Sequence, residues 1–364
     1  MAVIAVDATT VFPEGRGISR VVSCSIAALA DLPVPHEFVA FVRGAAAEAM
    51  LSREGVRCVR VGSWPAILWE QVLLPWAVAR HRVDAVLTTT DRLPVVGPGR
   101  YVVWLYEVPT HRIGAGTGLY QRASDLLTLA LWQRSLRRAS RVLAGSQATA
   151  DDIAARVTKP TAPVSVVYPG LDATFRPQPA VAASRYVFHL GSADPRDNTL
   201  TAVKAYALAR PALREPARLV VAGGLGAQRD RVVARIAELG VAGEVDVLGR
   251  VSDEQLIELY AGAAAYLDAS LYEGFGYQVL EAMACGAPVV GPRVTSVPEI
   301  VGDAGLLCDP RSAGELADAL TRVLDDAELA ATLRERGLRR AADFTWERTG
   351  RSLAAVLQEV VANG

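Results

Sequence analysis

Lysine is almost absent from this chain. Lys159 and Lys204 are the only two among 38 cationic residues, and the rest are arginine. The cations available to a ligand site are therefore mostly guanidinium groups, which can grip phosphate through paired N–H donors. Cysteine is scarce as well. Cys24, Cys58, Cys285 and Cys308 have no metal-like spacing, which excludes a zinc framework and fits reduced thiols. No run of about 18 apolar residues occurs, so no membrane-spanning helix is expected. The opening Met-Ala-Val-Ile-Ala-Val-Asp7 lacks the basic flank and long apolar stretch of a signal peptide and reads as a first strand. Charge of one sign is lacking too. A net charge of −1 leaves no global footprint for nucleic acid. These absences together predict a cytoplasmic protein without a nucleic-acid partner.

What is present is a chain of 364 residues, 51% hydrophobic and 21% charged, long enough for two cores. Short apolar strands are expected at 3–6, 38–42, 83–87, 101–105, 142–144 and 164–167, separated by helical stretches. A Pro-rich segment, 169–179, reads as a linker. The pattern then restarts with strands at 186–190, 218–222, 245–248, 264–267 and 288–290 and a helix over 200–209. Alternation of this kind predicts two parallel βαβ series, hence two Rossmann-like domains.

The richest stretch is Glu273-Gly-Phe-Gly-Tyr-Gln-Val-Leu-Glu281, followed by Ala282-Met-Ala-Cys-Gly-Ala-Pro-Val-Val290. It reads as a glycine loop feeding a short helix and then a buried strand. Gly274 and Gly276 permit a tight backbone path. A helix starting near Tyr277 would aim its first N–H groups at whatever precedes it, which suits a phosphate. Gly286 stops the helix and Pro288 opens the strand. Eight helical steps separate two carboxylates by about 12 Å. That exceeds the roughly 5 to 9.5 Å of a hydrolytic carboxylate pair and suits two ends of one elongated ligand.

Here the sequence resembles glycosyltransferase family 4, the retaining group 1 enzymes of the GT-B fold, which carry an E-x7-E motif in this context. The resemblance extends along most of the chain. Gly17-Ile18-Ser19-Arg20 is similar to the family's N-terminal glycine loop. Trp69-Glu-Gln-Val-Leu-Leu-Pro75 and Val142-Leu-Ala-Gly-Ser146 resemble stretches of mannosyl- and rhamnosyltransferase-like members. Val166-Val-Tyr-Pro-Gly-Leu-Asp172 looks like the interdomain strand and linker, Val247-Leu-Gly-Arg-Val251 like the nucleobase-side loop, and Phe344-Thr-Trp346 like the start of a returning last helix.

The resemblance implies an α/β protein of GT-B type, two Rossmann-like domains with parallel sheets facing a central cleft. It divides into an acceptor-binding domain at 1–170, a linker at 171–184, a nucleotide-sugar-binding domain at 185–344, and a helix at 345–364 packing back on the first domain. The implied reaction moves a hexosyl group from a nucleoside diphosphate sugar to a hydroxyl, with retention and without a metal or a separate cofactor. GDP-mannose or a GDP-deoxyhexose is the favoured donor and a UDP-sugar the alternative. The acceptor is a glycan, a lipid-linked molecule or a small molecule. The implied donor site comprises Gly17, Arg196, Asn198, Arg250, Val251, Gly274, Phe275, Gly276, Tyr277 and Glu281. Glu273 and Glu107 are the catalytic candidates, and Tyr106 and His111 lie on the acceptor side.

Two positions depart from the family pattern. Tyr106-Glu107 stands where many members carry His-Asp. Arg196-Asp197-Asn198 stands for Arg-Lys-Asn, so an acid occupies the place of a phosphate-binding lysine, and like charges repel there. Arg196 is the local cation left, with Lys204, which otherwise reads as a solvated helix residue, as the alternative. These departures keep open a non-catalytic protein that binds a nucleotide sugar or a partner. His189 reads as a core histidine, His81 as surface and His36 as loop. The arginine-rich stretch 112–141 reads as a helix with a core face and a solvated basic face, with a lipid-binding surface as the alternative. Trp64, Trp69 and Trp76 read as core, with contact at a membrane's inner face as the alternative.

Overall fold

The structure, a computed structural model, describes residues 1–13, 15, 17–108, 119–157, 162–178 and 185–363. His111 lies outside the described residues. The chain forms two compact units, Met1–Gly170 with Thr345–Gly364, and Leu171–Phe344.

The first unit contains β1 (Ala2–Asp7), β2 (His36–Val42), β3 (Val56–Arg60), β4 (Ala85–Thr88), β5 (Arg100–Leu105), β6 (Arg141–Ala144) and β7 (Val164–Val166). They pair in parallel in the order β3-β2-β1-β4-β5-β6-β7. The second unit contains β8 (Tyr186–Leu190), β9 (Arg218–Ala222), β10 (Val245–Gly249), β11 (Ala265–Leu267), β12 (Val289–Pro292) and β13 (Gly305–Cys308). Its order, β10-β9-β8-β11-β12-β13, is also wholly parallel. Both sheets start in the middle, run outward, then return and run the other way. Strand order reverses between β1 and β4 in one unit and between β8 and β11 in the other. Beyond the carboxyl ends of such strands two loops diverge and leave a crevice.

Successive residues of β8 show why both faces of the second sheet need covering. Val187 packs into one cluster with Leu219, Val221 and Leu267, and Phe188 into another with Tyr260, Tyr266 and Val289. A strand buried on both faces reads as a continuous apolar run rather than an alternation. The linker-like segment is partly core. Phe175 is buried and meets Tyr260 edge-on, with centroids 6.3 Å apart.

The last helix, Trp346–Ala362, belongs to the first unit. It packs against the helix Ile18–Ala30, where a side chain at Gly350 would come within 2.8 Å of the Ala28 carbonyl oxygen. Arg100 donates to Val361 O at 3.1 Å, and Arg141 pairs with Glu359 at 2.6 Å.

Several expectations need correction. Strands β3 and β13 were not anticipated. His36 opens β2 rather than lying in a loop. Trp69 is core, but Trp64 and Trp76 are exposed. The chain from Ala66 to Arg80 is one helical run with a π turn at Trp69–Leu73. Its inner row of Trp69, Leu74 and Val78 fills the core, and Trp76 falls on the outer row. Trp132 and Leu136 are buried while Arg134 and Arg137 face solvent, so the helix Leu119–Arg138 has the expected core and basic faces. Among the described residues, no helix is long and apolar enough to cross a membrane.

Candidate functional site

The motif segment occupies the carboxyl end of β11, beside that of β8, where the second sheet reverses. β11 ends at Leu267. Asp268 turns the chain by accepting from Ser270 N at 2.8 Å and Ser270 Oγ at 2.7 Å on one carboxylate oxygen. The same device ends β1, where Asp7 accepts from Thr9 N at 3.2 Å and Thr9 Oγ1 at 2.7 Å. Such Asp-to-backbone turns favour departure from a strand.

The β11 loop is tied to the β8 loop. Leu271 N donates to Arg196 O at 2.7 Å. Asn198, in a left-handed conformation with φ 54°, donates both amide hydrogens, to Ala269 O at 3.0 Å and Pro310 O at 2.9 Å. Its amide is a staple between loops.

Glu273 is gripped through its backbone. Its N–H donates to Thr295 Oγ1 at 3.0 Å, and its carbonyl accepts from Ser296 Oγ at 2.9 Å. The side chain is left to face its surroundings, and these are acidic. Burial pushes its carboxyl up to about 8, helped by Asp268 and Asp197 and opposed by Ser270 and Arg196. Asp268, only 1% exposed, and Asp197 are both raised, burial being the first cause in each. One carboxylate oxygen of each has no hydrogen-bond partner. A buried polar group without a partner is costly, so this trio is a place where ligand donors would be welcome.

Gly276, at φ 92° and ψ 47°, starts the helix Tyr277–Cys285, and no side chain caps it. First-turn amides lack intrahelical acceptors and carry the positive end of the helix dipole. Phe275 is buried against Tyr277, centroids 4.9 Å apart, and against Phe344 at 5.9 Å. Gly286 at φ 85° ends the helix. Its N–H bonds to Met283 O at 3.0 Å and that of Ala287 to Ala282 O at 2.9 Å, a Schellman closure. Within the helix, Glu281 accepts from the buried Tyr260 hydroxyl at 3.2 Å.

The expected cations differ in their engagement. Arg196 lies on Asp194, Nε at 2.9 Å and Nη2 at 2.7 Å from the same oxygen, and its guanidinium carbon sits 5.8 Å from the centre of the Tyr272 ring. Arg250 is exposed and folds over Gly224 beyond β9, where a side chain would come within 2.9 Å of its Nε. Among the described residues Arg250 has no ion-pair partner. Val251 follows it in the loop after β10. Gly223 beside it, at φ 110°, leaves no room for a side chain. A Cβ there would lie 1.8 Å from Gly191 O.

The first unit's candidates line its own strand ends. Gly17 precedes the helix Ile18–Ala30 at φ 60° and ψ −124°, a conformation only glycine adopts readily, with nothing within 4 Å of where a side chain would start. Tyr106 and Glu107 follow β5. The Tyr106 ring meets Trp104 at 5.0 Å, and Gly145 makes room for it, since a Cβ there would sit 2.8 Å from the ring. Glu70, missed from sequence, is buried on the π turn. Burial raises its carboxyl to about 7, with Arg92, 3.1 Å away, opposing.

The structure thus brings Glu273, Arg196 and Asn198 together and adds Asp268, Ser270, Thr295 and Ser296, which sequence reasoning missed. An Asp-x-Ser directly after a strand was the available signal. Among the described residues, no group of three or more His, Cys, Asp and Glu is arranged to hold a metal.

Two Rossmann-like units of this topology define the GT-B class, and over its whole length the chain matches solved structures of that class. One is the sucrose-phosphate synthase of Thermosynechococcus elongatus, with a TM-score of 0.78, 20% identity and 100% of both chains covered. Residues 172–340 match the family Glycosyl transferases group 1, and this stretch is nearly the whole second unit. The second unit is thus similar to a group 1 glycosyltransferase domain. The O-antigen chain mannosyltransferase B of Escherichia coli is 39% identical over 163 residues, 44% of this chain and 42% of that one. The D-inositol 3-phosphate glycosyltransferase of Salinispora arenicola is 33% identical over 255 residues, 63% of this chain and 57% of that one. The alignments span about half the length of these curated relatives.

Proposed function

We propose that this chain is a retaining hexosyltransferase that moves a sugar from a nucleoside diphosphate to a hydroxyl of a glycan, lipid-linked or small-molecule acceptor, without a metal or separate cofactor. The observation that carries the reading is the placement of Glu273 and the uncapped helix Tyr277–Cys285 at the strand-order reversal of a group 1 domain. In this reading the Glu273 carboxyl group hydrogen-bonds hydroxyls of the donor sugar, and Glu281, steadied by Tyr260, accepts those of the ribose. The amides of the glycine loop, with Arg196 and Arg250, take the diphosphate. Fixed donors at a charged leaving group lower the barrier without reorganising during the reaction. Similarity to a mannosyltransferase favours GDP-mannose or a GDP-deoxyhexose as donor. A thermal-shift screen of nucleotide sugars, followed by transfer and hydrolysis assays of each hit with wild type and Glu273→Gln, tests the proposal. Turnover unaffected by the substitution would remove Glu273 from the chemistry.

A second reading rests on Asp194 and Asp197. One neutralises Arg196 and the other stands in the family's lysine position. Both suit a domain that binds a nucleotide sugar without turning it over. Saturable binding with neither transfer nor hydrolysis would favour it.

A further inference from the structure

Trp69, Glu70 and Gln71 take no part in the donor site. They open the π turn of the helical run Ala66–Arg80, the kind of irregularity that is frequent at functional sites. Each ties the turn to the carboxyl end of the first sheet. Trp69 Nε1 donates to Asp7 Oδ2 at 3.1 Å, where β1 ends. Glu70 Oε1 accepts from Arg92 Nη2 at 3.2 Å, in the loop after β4. Gln71 donates to Leu93 O at 3.1 Å and accepts from Val95 N at 2.9 Å, in the same loop. β1 and β4 are the strands between which the order reverses, so the turn walls the first unit's own crevice.

This wall carries unspent hydrogen-bonding capacity. Glu70 is 3% exposed, and its Oε2 makes no hydrogen bond although Arg92 Nε stands 3.1 Å away. Arg92 Nε makes none either. The two-bond grip of a guanidinium on a carboxylate is thus half made, and a donor and an acceptor are left side by side. Thr10 Oγ1, after β1, and Thr89 Oγ1, after β4, are also buried without a partner. Their neighbours are engaged, Thr9 Oγ1 with Asp7 at 2.7 Å and Thr88 Oγ1 with Thr90 at 3.0 Å. Buried polar groups without partners are kept at a cost. Hydroxyls of a ligand would satisfy all four atoms, since each hydroxyl donates once and accepts twice. Arg92, with 32% of its side chain exposed, connects these groups to solvent. The charges disfavour an anion. Arg92 is flanked by Glu70 at 3.1 Å and Asp91 at 3.8 Å. These groups leave no net positive charge for a phosphate, even when Glu70 keeps its proton.

We propose that Glu70, Arg92, Thr10 and Thr89 form a pocket for an uncharged sugar ring, which in transfer is the acceptor. The inference rests on the transferase reading above and narrows its acceptor to a neutral glycoside, with phosphorylated sugars rejected. The test uses the full chain, a panel of methyl hexosides and neutral disaccharides, and the matching hexose 6-phosphates. Transfer is measured with the donor found by the nucleotide-sugar screen, and binding is measured separately by saturation-transfer NMR without donor. Neutral glycosides are expected to bind and to be glycosylated, and the phosphates to do neither. Thr10→Val and Thr89→Val should each raise the acceptor KM about threefold to tenfold, and Glu70→Gln about tenfold or more, an effect on acceptor KM rather than on donor KM. The valine variants should hold or raise the melting temperature, because each removes a buried hydroxyl that has no partner. A merely structural role would lower it. If no nucleotide sugar is transferred or hydrolysed, yet neutral glycosides bind and lose affinity in Thr89→Val, the transferase reading fails and the pocket stands. Preference for the hexose phosphates, glycoside binding indifferent to all three substitutions, or no glycoside binding to wild type would each overturn the proposal.

Discussion

Arg196 rests on Asp194 through two N–H donors to one carboxylate oxygen, 2.9 and 2.7 Å away. An arginine already paired can still change partners, because a diphosphate offers more oxygens and more charge than a single carboxylate. Arg196→Ala should weaken nucleoside diphosphate binding by roughly 1.5–3 kcal/mol, the range for hydrogen bonds to charged groups. Binding of the unphosphorylated nucleoside should not change. Asp197→Ala should be neutral or tighten the diphosphate. Calorimetry on these ligands decides. Asp197 essential and Arg196 dispensable would mean that the phosphate geometry has been rebuilt.

The Tyr260–Glu281 bond gives a second test. If Glu281 accepts from the ribose, Glu281→Ala should cost about tenfold or more in affinity for any nucleotide, whatever sugar it carries. Tyr260→Phe should cost less, since it frees the carboxylate without removing it. Equal affinity for a ribonucleotide and its 2′,3′-dideoxy counterpart would refute the assignment.

The acidic trio has a pH signature. Glu273 holds its proton to about 8 in the folded chain, against an ordinary value of 4.5. The unfolded chain releases that proton first. Folded stability from this group is therefore complete below about pH 4.5 and falls as pH rises toward about 8. Glu273→Gln removes the titration, so its melting temperature should exceed that of wild type at pH 8 and match it near pH 4. Turnover should drop at least about tenfold, equal to 1.4 kcal/mol of transition-state stabilisation. Parallel melting curves across this pH range would show that Glu273 is not the strained member of the cluster.

Gly223 makes a purely steric prediction. Its φ of 110° and the Gly191 carbonyl in the way of any Cβ leave alanine no place. Gly223→Ala should destabilise the second unit by about 3 kcal/mol or more. Gly243→Ala, with no atom within 4 Å of the added carbon, is the control. Similar melting temperatures for the two variants would contradict the described loop contact.

Much of this was legible in the sequence because the signals were local. The glycines around Phe275 and the stop at Gly286 dictate a loop, a helix and a strand with little help from elsewhere. β8 and β9 read directly because strands buried on both faces are uninterrupted apolar runs. β3 did not, since Val56-Arg-Cys-Val-Arg60 is a half-exposed edge whose arginines break the pattern. Asp268 was missed because an aspartate after a strand ordinarily reads as solvated, and its closeness to Asp197 depends on the β8 loop, which is distant in sequence. Trp76 was misjudged because the π turn shifts the helical phase, and a propensity for burial cannot say which row of a helix faces in.

The return of the helix Trp346–Ala362 to the first unit also fixes an order of events during synthesis. The second unit, Leu171–Phe344, is continuous in sequence and can close as soon as it leaves the ribosome. The first unit, although made first, must keep the face of its Ile18–Ala30 helix uncovered until residues 346–362 emerge. The surface that Leu353, Leu357 and Val360 pack on is exposed throughout translation of the second unit, so the older half of the protein is the one that needs guarding, and the younger half is finished before it.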